Sequence, residues 1–209
     1  MQKKAITTCL QTGLAQLKMD LPGESVEKLV HYLDLLHKWN AVHNLTAVRD
    51  PLEMVTKHLL DSLVLAPYVK TGTVIDVGTG AGLPGIPLSI SNQTQDFVLV
   101  DSHQKKITFV EHVILSLKLD NCRALCERVE KIQSEPFDWV VSRAFASLSE
   151  FVKLAGHLCK PSERLVAMKA EVLPAEMNEV GLGFMIEKII PVKVPGLEAK
   201  RSLVFMKRN

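Results

Sequence analysis

The sequence predicts an α/β fold: a doubly wound, mostly parallel sheet, preceded by helices and finished by an antiparallel C-terminal hairpin. Three observations lead there. First, Val74-Ile75-Asp76-Val77 reads as a short buried strand, and four glycines in the next eight residues force a tight turn before Ile86-Pro87-Leu88-Ser89-Ile90 opens a helix. Second, strand-like and helix-like runs alternate downstream, which is the pattern of repeated βα units. Third, residues 186–194 and 202–207 are two apolar runs joined by a Pro-Gly loop, as in a hairpin at a sheet edge.

Taken in order, residues 5–18 are weakly helical and Pro22-Gly23 closes them. Between 24 and 40, Val26, Leu29, Val30, Leu33, Leu36 and Trp39 form one apolar stripe, so a second helix is expected. A loop covers 41–49. Asp50-Pro51-Leu52-Glu53 is then a strong helix start, with Asp at N-cap, Pro at N1 and Glu at N3, and the helix should run to about 67. Residues 1–70 thus form a helical appendage, and 71–209 the sheet-bearing core. In that core a second strand at 97–100 ends at Asp101. A helix over 105–119 turns Ile107, Val110, Val113, Ile114 and Leu117 inward. Strands follow at 123–126, 137–142 and 164–169, with a helix near 148–158.

Composition sets limits. The chain has 209 residues, 47% apolar and 23% charged, which suits one domain with an appendage. A net charge of +2 carries no strongly basic nucleic-acid footprint; any such binding would have to come from local clusters such as Lys105-Lys106 and Lys200-Arg201, for which a solvated edge is the alternative. Cys9, Cys122, Cys126 and Cys159 form no Cys-x-x-Cys pair, so no metal site is expected, and free thiols suit a cytoplasmic protein. No apolar run approaches about 18 residues, and the opening residues lack a signal-peptide core; no membrane association is expected.

Two readings of the glycine turn compete. Counted from Gly80, residues 80–85 satisfy G-x-G-x-x-G, with Asp101 about 20 residues on, as a dinucleotide site requires. Counted from Asp76, the stretch is Asp-x-Gly-x-Gly-x-Gly, similar to S-adenosylmethionine-dependent methyltransferases. There an acid by the first strand faces the methionine ammonium, and an acid ending the second strand takes the ribose hydroxyls. An acid two residues before the first glycine suits a cation and repels a pyrophosphate. Pro84 and Pro87 interrupt the amides that a helix N-terminus offers to phosphate. Neither Tyr32 nor Tyr68 has Lys four positions later, so the Tyr-x-x-x-Lys pair of one dehydrogenase group is missing. The methyl donor is favoured over NAD.

Trp39-Asn40, Asn44-Leu45-Thr46-Ala47, His58-Leu59-Leu60-Asp61-Ser62-Leu63, Asp76 through Pro87, Asp101-Ser102, Lys105-Lys106, Ser142-Arg143-Ala144-Phe145-Ala146 and Arg201 carry a more specific likeness. Together they resemble, nearly end to end, the bacterial ribosomal small-subunit methyltransferase G family, also called glucose-inhibited division protein B. The resemblance implies a Rossmann-like S-adenosylmethionine-dependent fold and methylation of guanine N7 in the decoding-centre loop of 16S ribosomal RNA. It implies cofactor contacts at Gly78, Leu83, Val129 and Glu130, to which Asp76, Gly80 and Asp101 are added from the glycine pattern and the strand ends. A buried turn-capping role is the alternative for Asp76, and a solvated loop acid for Glu130. Arg143, directly after the fourth strand, is the candidate catalytic and cofactor-binding residue; it acts by positioning, touching the cofactor or orienting the guanine or a phosphate, with a surface ion pair as the alternative. Lys169 and Arg201 are expected on RNA phosphates, with a solvated edge as the alternative. Asn44 is expected to bind substrate as well, and with Thr46 to close over the cofactor, with loop capping as the alternative. His58 reads as a packed helix residue, and Asp61 receives no firm role. Ala81, Ala170 and Ser202 depart from the family's usual Pro, Gly and His.

Guanine N7 carries an unprotonated lone pair, so positioning and desolvation are required and a general base is not. Consistently, the chain lacks an Asn-Pro-Pro-Tyr-type tetrapeptide for amino groups and a Pro-Cys nucleophile for pyrimidine carbon; Cys122, Cys126 and Cys159 read as packing. The expected partner is 16S ribosomal RNA or the small subunit, and the expected state a monomer. The alternative from another class is a non-enzymatic RNA- or nucleotide-binding module.

Overall fold

The computed structural model describes residues 3–143, 145, 147–172, 176, 180–181 and 183–209. Val74, Ile75 and Val77 of β1 (Val74–Val77) are all buried, because helices cover both faces of a parallel strand and leave no polar alternation. The other strands are β2 (Phe97–Asp101), β3 (Cys122–Cys126), β4 (Phe137–Ser142), β5 (Cys159–Lys169), β6 (Phe184–Val192) and β7 (Arg201–Arg208). They form one sheet in the order β3-β2-β1-β4-β5-β7-β6. The first five strands are parallel; β7 runs antiparallel to both β5 and β6. This differs from the dinucleotide-binding order 3-2-1-4-5-6 by the reversed strand between β5 and β6. The last strand is therefore interior, and β6 is the edge. Burial accounts for it: Leu203–Met206 are all buried, whereas every residue of β6 after Phe184 is half-buried or exposed, and the strand carries Pro191, which cannot donate to a ladder.

The helices are α1 (Lys3–Gln16), α2 (Gly23–His43), α3 (Pro51–Met54), α4 (Asp61–Leu63), α5 (Gly85–Ser91), α6 (Gln104–Leu117) and α7 (Leu148–Ala155). One face of the sheet packs α1, α2, α5 and α6 into a single cluster that joins Leu10, Leu33, Leu59, Leu99 and Phe109. The opposite face packs Ile75, Val140 and Phe151 with α7. The first cluster runs without interruption across residue 70, so the leading helices share the core of the sheet. In α6, Phe109 is buried, while Ile114, expected inward, is only half-buried.

α2 runs three residues beyond its expected end. Asn44 stops it in the left-handed region (φ 51°), with its N–H donating to Asn40 O, a conformation Asn tolerates. Asp50 caps α3 as expected, accepting the Leu52 N–H at 2.8 Å. The expected single helix from 51 is wound differently in its middle: Val55–Leu60 is π-helix, joining α3 to α4. Among the described residues no helix is long and apolar enough to cross a membrane.

Candidate functional site

The strand order reverses between β1 and β4, and in open α/β sheets the ligand crevice lies beyond the carboxyl ends of the strands at that point. The glycine turn occupies this position. Asp76 lies beneath it, 0% exposed. Its Oδ2 accepts from Thr79 Oγ1 (2.6 Å) and the Gly85 N–H (2.8 Å), while Oδ1 has no partner among the described residues. Burial raises the Asp76 carboxyl from its ordinary 3.8 to about 6, against the pull of those two donors. The turn-capping arrangement is thus the one observed. Gly78, Gly80 and Gly82 have φ of 71°, 59° and 90°. At Gly82 a Cβ would also stand 2.5 Å from Ile86 Cγ1, so glycine is required there twice over. Leu83 packs into the apolar cluster below the turn.

A contact that sequence reasoning missed comes from α2. The buried Tyr32 hydroxyl donates to Ala81 O at 2.7 Å, so a leading helix holds the turn in shape. Burial pushes the Tyr32 hydroxyl well above its ordinary range, which keeps it a donor.

Beside the turn is a cavity of about 330 Å³, lined by Gly78, Val100, Asp101, Val129, Glu130 and Phe145 among others. Four of the expected cofactor residues therefore share one wall. Asp101, whose side chain is 5% exposed, is held by four donors. Oδ1 takes the His103 N–H (3.0 Å) and ring (2.8 Å); Oδ2 takes the Gly80 N–H (3.1 Å) and Lys106 Nζ (3.2 Å). Burial pushes this carboxyl upward, but His103 and Lys106 outweigh it and the net shift is down, so it stays ionised. Glu130 is exposed, its nearest cation Arg128 at 4.0 Å. Phe145 stacks on Phe151 at 5.1 Å. It was legible only as part of the Ser142–Ala146 motif, whose Ala144 and Ala146 lie outside the described residues.

The remaining expected residues gather elsewhere on the rim. Arg143 and Arg201 do not line the cavity; both bind Asp61, a 3%-exposed carboxylate whose partners were not foreseen. Asn44 Oδ1 accepts from Arg49 Nη2 at 2.6 Å, and Arg49 Nη1 donates to Asn40 O. The buried Asn40 takes the Thr46 N–H on Oδ1 and donates to Val48 O, so 44–49 is a capped loop. Thr46 Oγ1 also meets His58 Nε2 at 2.9 Å. Burial, then the Arg143 charge, press the His58 ring down to about 4, so it is neutral and packed. Lys169 pairs with Glu176. Burial pushes the Cys122 and Cys159 thiols up to about 12, as packed, unreactive groups.

A reversed strand between β5 and β6, a glycine turn braced by a buried acid, and a second-strand carboxylate at an apolar cavity define the class: a Rossmann-like S-adenosylmethionine-dependent methyltransferase fold. Solved structures share it. A SAM dependent methyltransferase from Aquifex aeolicus superposes with a TM-score of 0.58 at 21% identity, covering 78% of this chain and 96% of that one. P. horikoshii TYW2 in complex with MeSAdo superposes at 0.56 and 15% identity, covering 70% and 60%. The chain belongs to the rRNA small subunit methyltransferase G family, whose profile matches residues 25–204. The ribosomal RNA small subunit methyltransferase G of Methylobacillus flagellatus is 48% identical over 94% of this chain and 96% of its own length; that of Escherichia fergusonii is 44% identical over 96% and 97%.

Proposed function

We propose that this chain transfers a methyl group from S-adenosylmethionine to N7 of a guanine in the decoding-centre loop of 16S ribosomal RNA. The observation that carries the reading is the 330 Å³ cavity, in which an ionised Asp101 and the bare backbone of Gly78 stand against apolar walls. That donor set suits a nucleoside: a carboxylate for paired hydroxyls, and Val129 and Phe145 for a flat base. Asp101 receives the ribose hydroxyls, with the Gly80 N–H fixing its orientation. Glu130 borders the base. Asp76 and Leu83 hold the turn from below, and the Asp76 charge favours a cationic ligand over a phosphate.

When bound, S-adenosylmethionine supplies a methyl carbon made electrophilic by its positive sulfur. No side chain has to take a proton from guanine N7, which agrees with the neutral, buried His58 and the protonated thiols. The chain's task is to hold N7 in line and exclude water. Arg143 orients the guanine or its phosphate, Arg201 and Lys169 take RNA phosphates, with Lys169 exchanging Glu176 for one, and the capped loop at Asn44 closes the site. We read the protein as a cytoplasmic monomer acting on the small subunit or its RNA; the net charge of +2 favours recognition of folded RNA shape over bulk attraction.

Two measurements test this. Calorimetric titration should give saturable S-adenosylmethionine binding and none with NAD. Mapping of N7-methylguanosine in ribosomal RNA from cells with and without the gene should show one site lost; a methylation pattern that survives deletion rejects the proposal.

A further inference from the structure

We infer that Asp61 is a positioning residue that builds, from Arg143 and Arg201, a two-guanidinium site for a single backbone phosphate of the RNA. This rests on the methyltransferase reading and deepens it. Each Asp61 oxygen takes one arginine: Oδ2 accepts from Arg143 Nη1 at 3.0 Å and Oδ1 from Arg201 Nε at 2.8 Å. The partners are 82 and 140 residues away in sequence, one just beyond the end of β4 and the other at the start of β7. A buried carboxylate that only needed neutralising would be served by one guanidinium. Two leave the group with one surplus positive charge.

The remaining donors point to an anion. Arg143 Nη1 also donates to Lys57 O (3.2 Å) and Arg201 Nη1 to Lys200 O (3.0 Å), which fixes both planes. Arg143 Nε and Nη2 and Arg201 Nη2 make no hydrogen bond among the described residues. Planar guanidinium forks match the oxygens of a phosphate, and two held on one carboxylate lose little freedom on binding it.

The backbone around the clamp is shaped for it. Asp61 follows directly on the π-helical Val55–Leu60, and its N–H reaches back to Thr56 O, the wide bond of a π-turn; such turns concentrate at functional sites. Gly196, in the β6–β7 loop, lies so close to Thr56 that a Cβ would stand 3.2 Å from its hydroxyl, so the loop leading to Arg201 rests on the π-turn. Ser142 donates to Val77 O at 2.7 Å, which ties the residue before Arg143 to the end of β1, where the glycine turn begins.

The test is RNA binding, measured by titration of a 16S ribosomal RNA fragment at several salt concentrations, beside S-adenosylmethionine binding and thermal melting. Asp61→Asn should weaken RNA binding roughly tenfold or more and raise KM for RNA, a larger loss than any in S-adenosylmethionine binding, with a melt that stays cooperative but moves down because a buried ion pair is broken. Simple charge counting gives the opposite sign, since deleting a negative charge beside a phosphate would tighten binding. Unchanged or tighter RNA binding by folded D61N would therefore overturn the inference. Should D61N fail to fold, Arg201→Gln decides: it should lower the slope of log K against log salt by about one, and Arg201→Lys should not restore affinity because an ammonium has no fork. An R201Q protein with wild-type affinity and slope would also overturn it. A wild-type protein that binds no ribosomal RNA would instead remove the methyltransferase reading, and the phosphate site with it.

Discussion

Replacing Asp76 by Asn should make the protein less sensitive to rising pH. In the wild type the Asp76 carboxyl is raised from 3.8 to about 6 by burial, and only one of its oxygens is hydrogen-bonded. Between those two values the folded state binds more protons at this group than the unfolded state, so stability falls as pH rises. Contributed stability is full below about pH 4 and gone above about pH 6; at about 1.4 kcal/mol per pH unit the loss is about 3 kcal/mol. Asparagine keeps an acceptor for Thr79 and Gly85 but does not titrate. The difference between variant and wild type, followed by urea unfolding in steps from about pH 4 to about pH 7, should therefore shift in favour of D76N by about 3 kcal/mol. In a chain of this length that is roughly 6–12 °C in Tm. Any fixed offset from the new amide nitrogen, and any contribution from other groups such as His58, is common to all pH values or to both proteins. Two curves running parallel across that window would refute the claim that Asp76 is held at a desolvation penalty.

Tyr32→Phe removes the donor to Ala81 O and should cost about 1–3 kcal/mol of stability while also weakening S-adenosylmethionine binding, because the turn loses its outer brace; equal stability by urea titration would show the bond to be dispensable. Asp101→Asn should fold but bind the cofactor roughly tenfold more weakly or worse, by calorimetry, since the acceptor proposed for paired hydroxyls loses its charge; wild-type affinity would dismiss Asp101 as a cofactor ligand. His58, with its folded pKa down at about 4, contributes stability that is full above about pH 6.5 and lost as pH falls through about 4. Methylation rates should accordingly show no limb between about pH 6 and 8 that His58→Gln abolishes, and such a limb would make His58 a working base.

Much of the frame could be read from local patterns. Asp50-Pro51-Glu53 announces a helix start because capping is a matter of four adjacent residues. Asp76 and Asp101 could be singled out because one stands next to last in a short β-rich run and the other ends one, and the fold places such ends at the crevice. What escaped depends on partners far away in the chain. The 202–207 run reads as a strand, but nothing in it says that β5 rather than solvent lies on its other side. The π-winding of Val55–Leu60, closed by the Asp61 N–H on Thr56 O, has no local signature in the sequence. Tyr32 stands beside an ordinary apolar stripe and is not counted in it; only the approach of the glycine turn reveals a use for its hydroxyl. Asp61 did leave a signal. A carboxylate between Leu60 and Leu63 on the buried side of a helix demands a cationic partner, although sequence cannot say that there are two.

The margins of the sheet have a consequence for how the molecule behaves in a crowd. Interior placement of β7 leaves β6 as one rim, and that strand is a poor template: it carries Pro191, slips register between Ile186 and Lys188, and sets charged Glu187 and Lys188 side by side in its middle. The other rim, β3, is only five residues long and exposes Arg123. A stray extended peptide finds neither an unbroken row of donors nor a flat apolar surface on which to align. The sheet is terminated chemically at both ends, so growth by strand addition, the usual hazard of an open sheet, is opposed by the edge strands themselves.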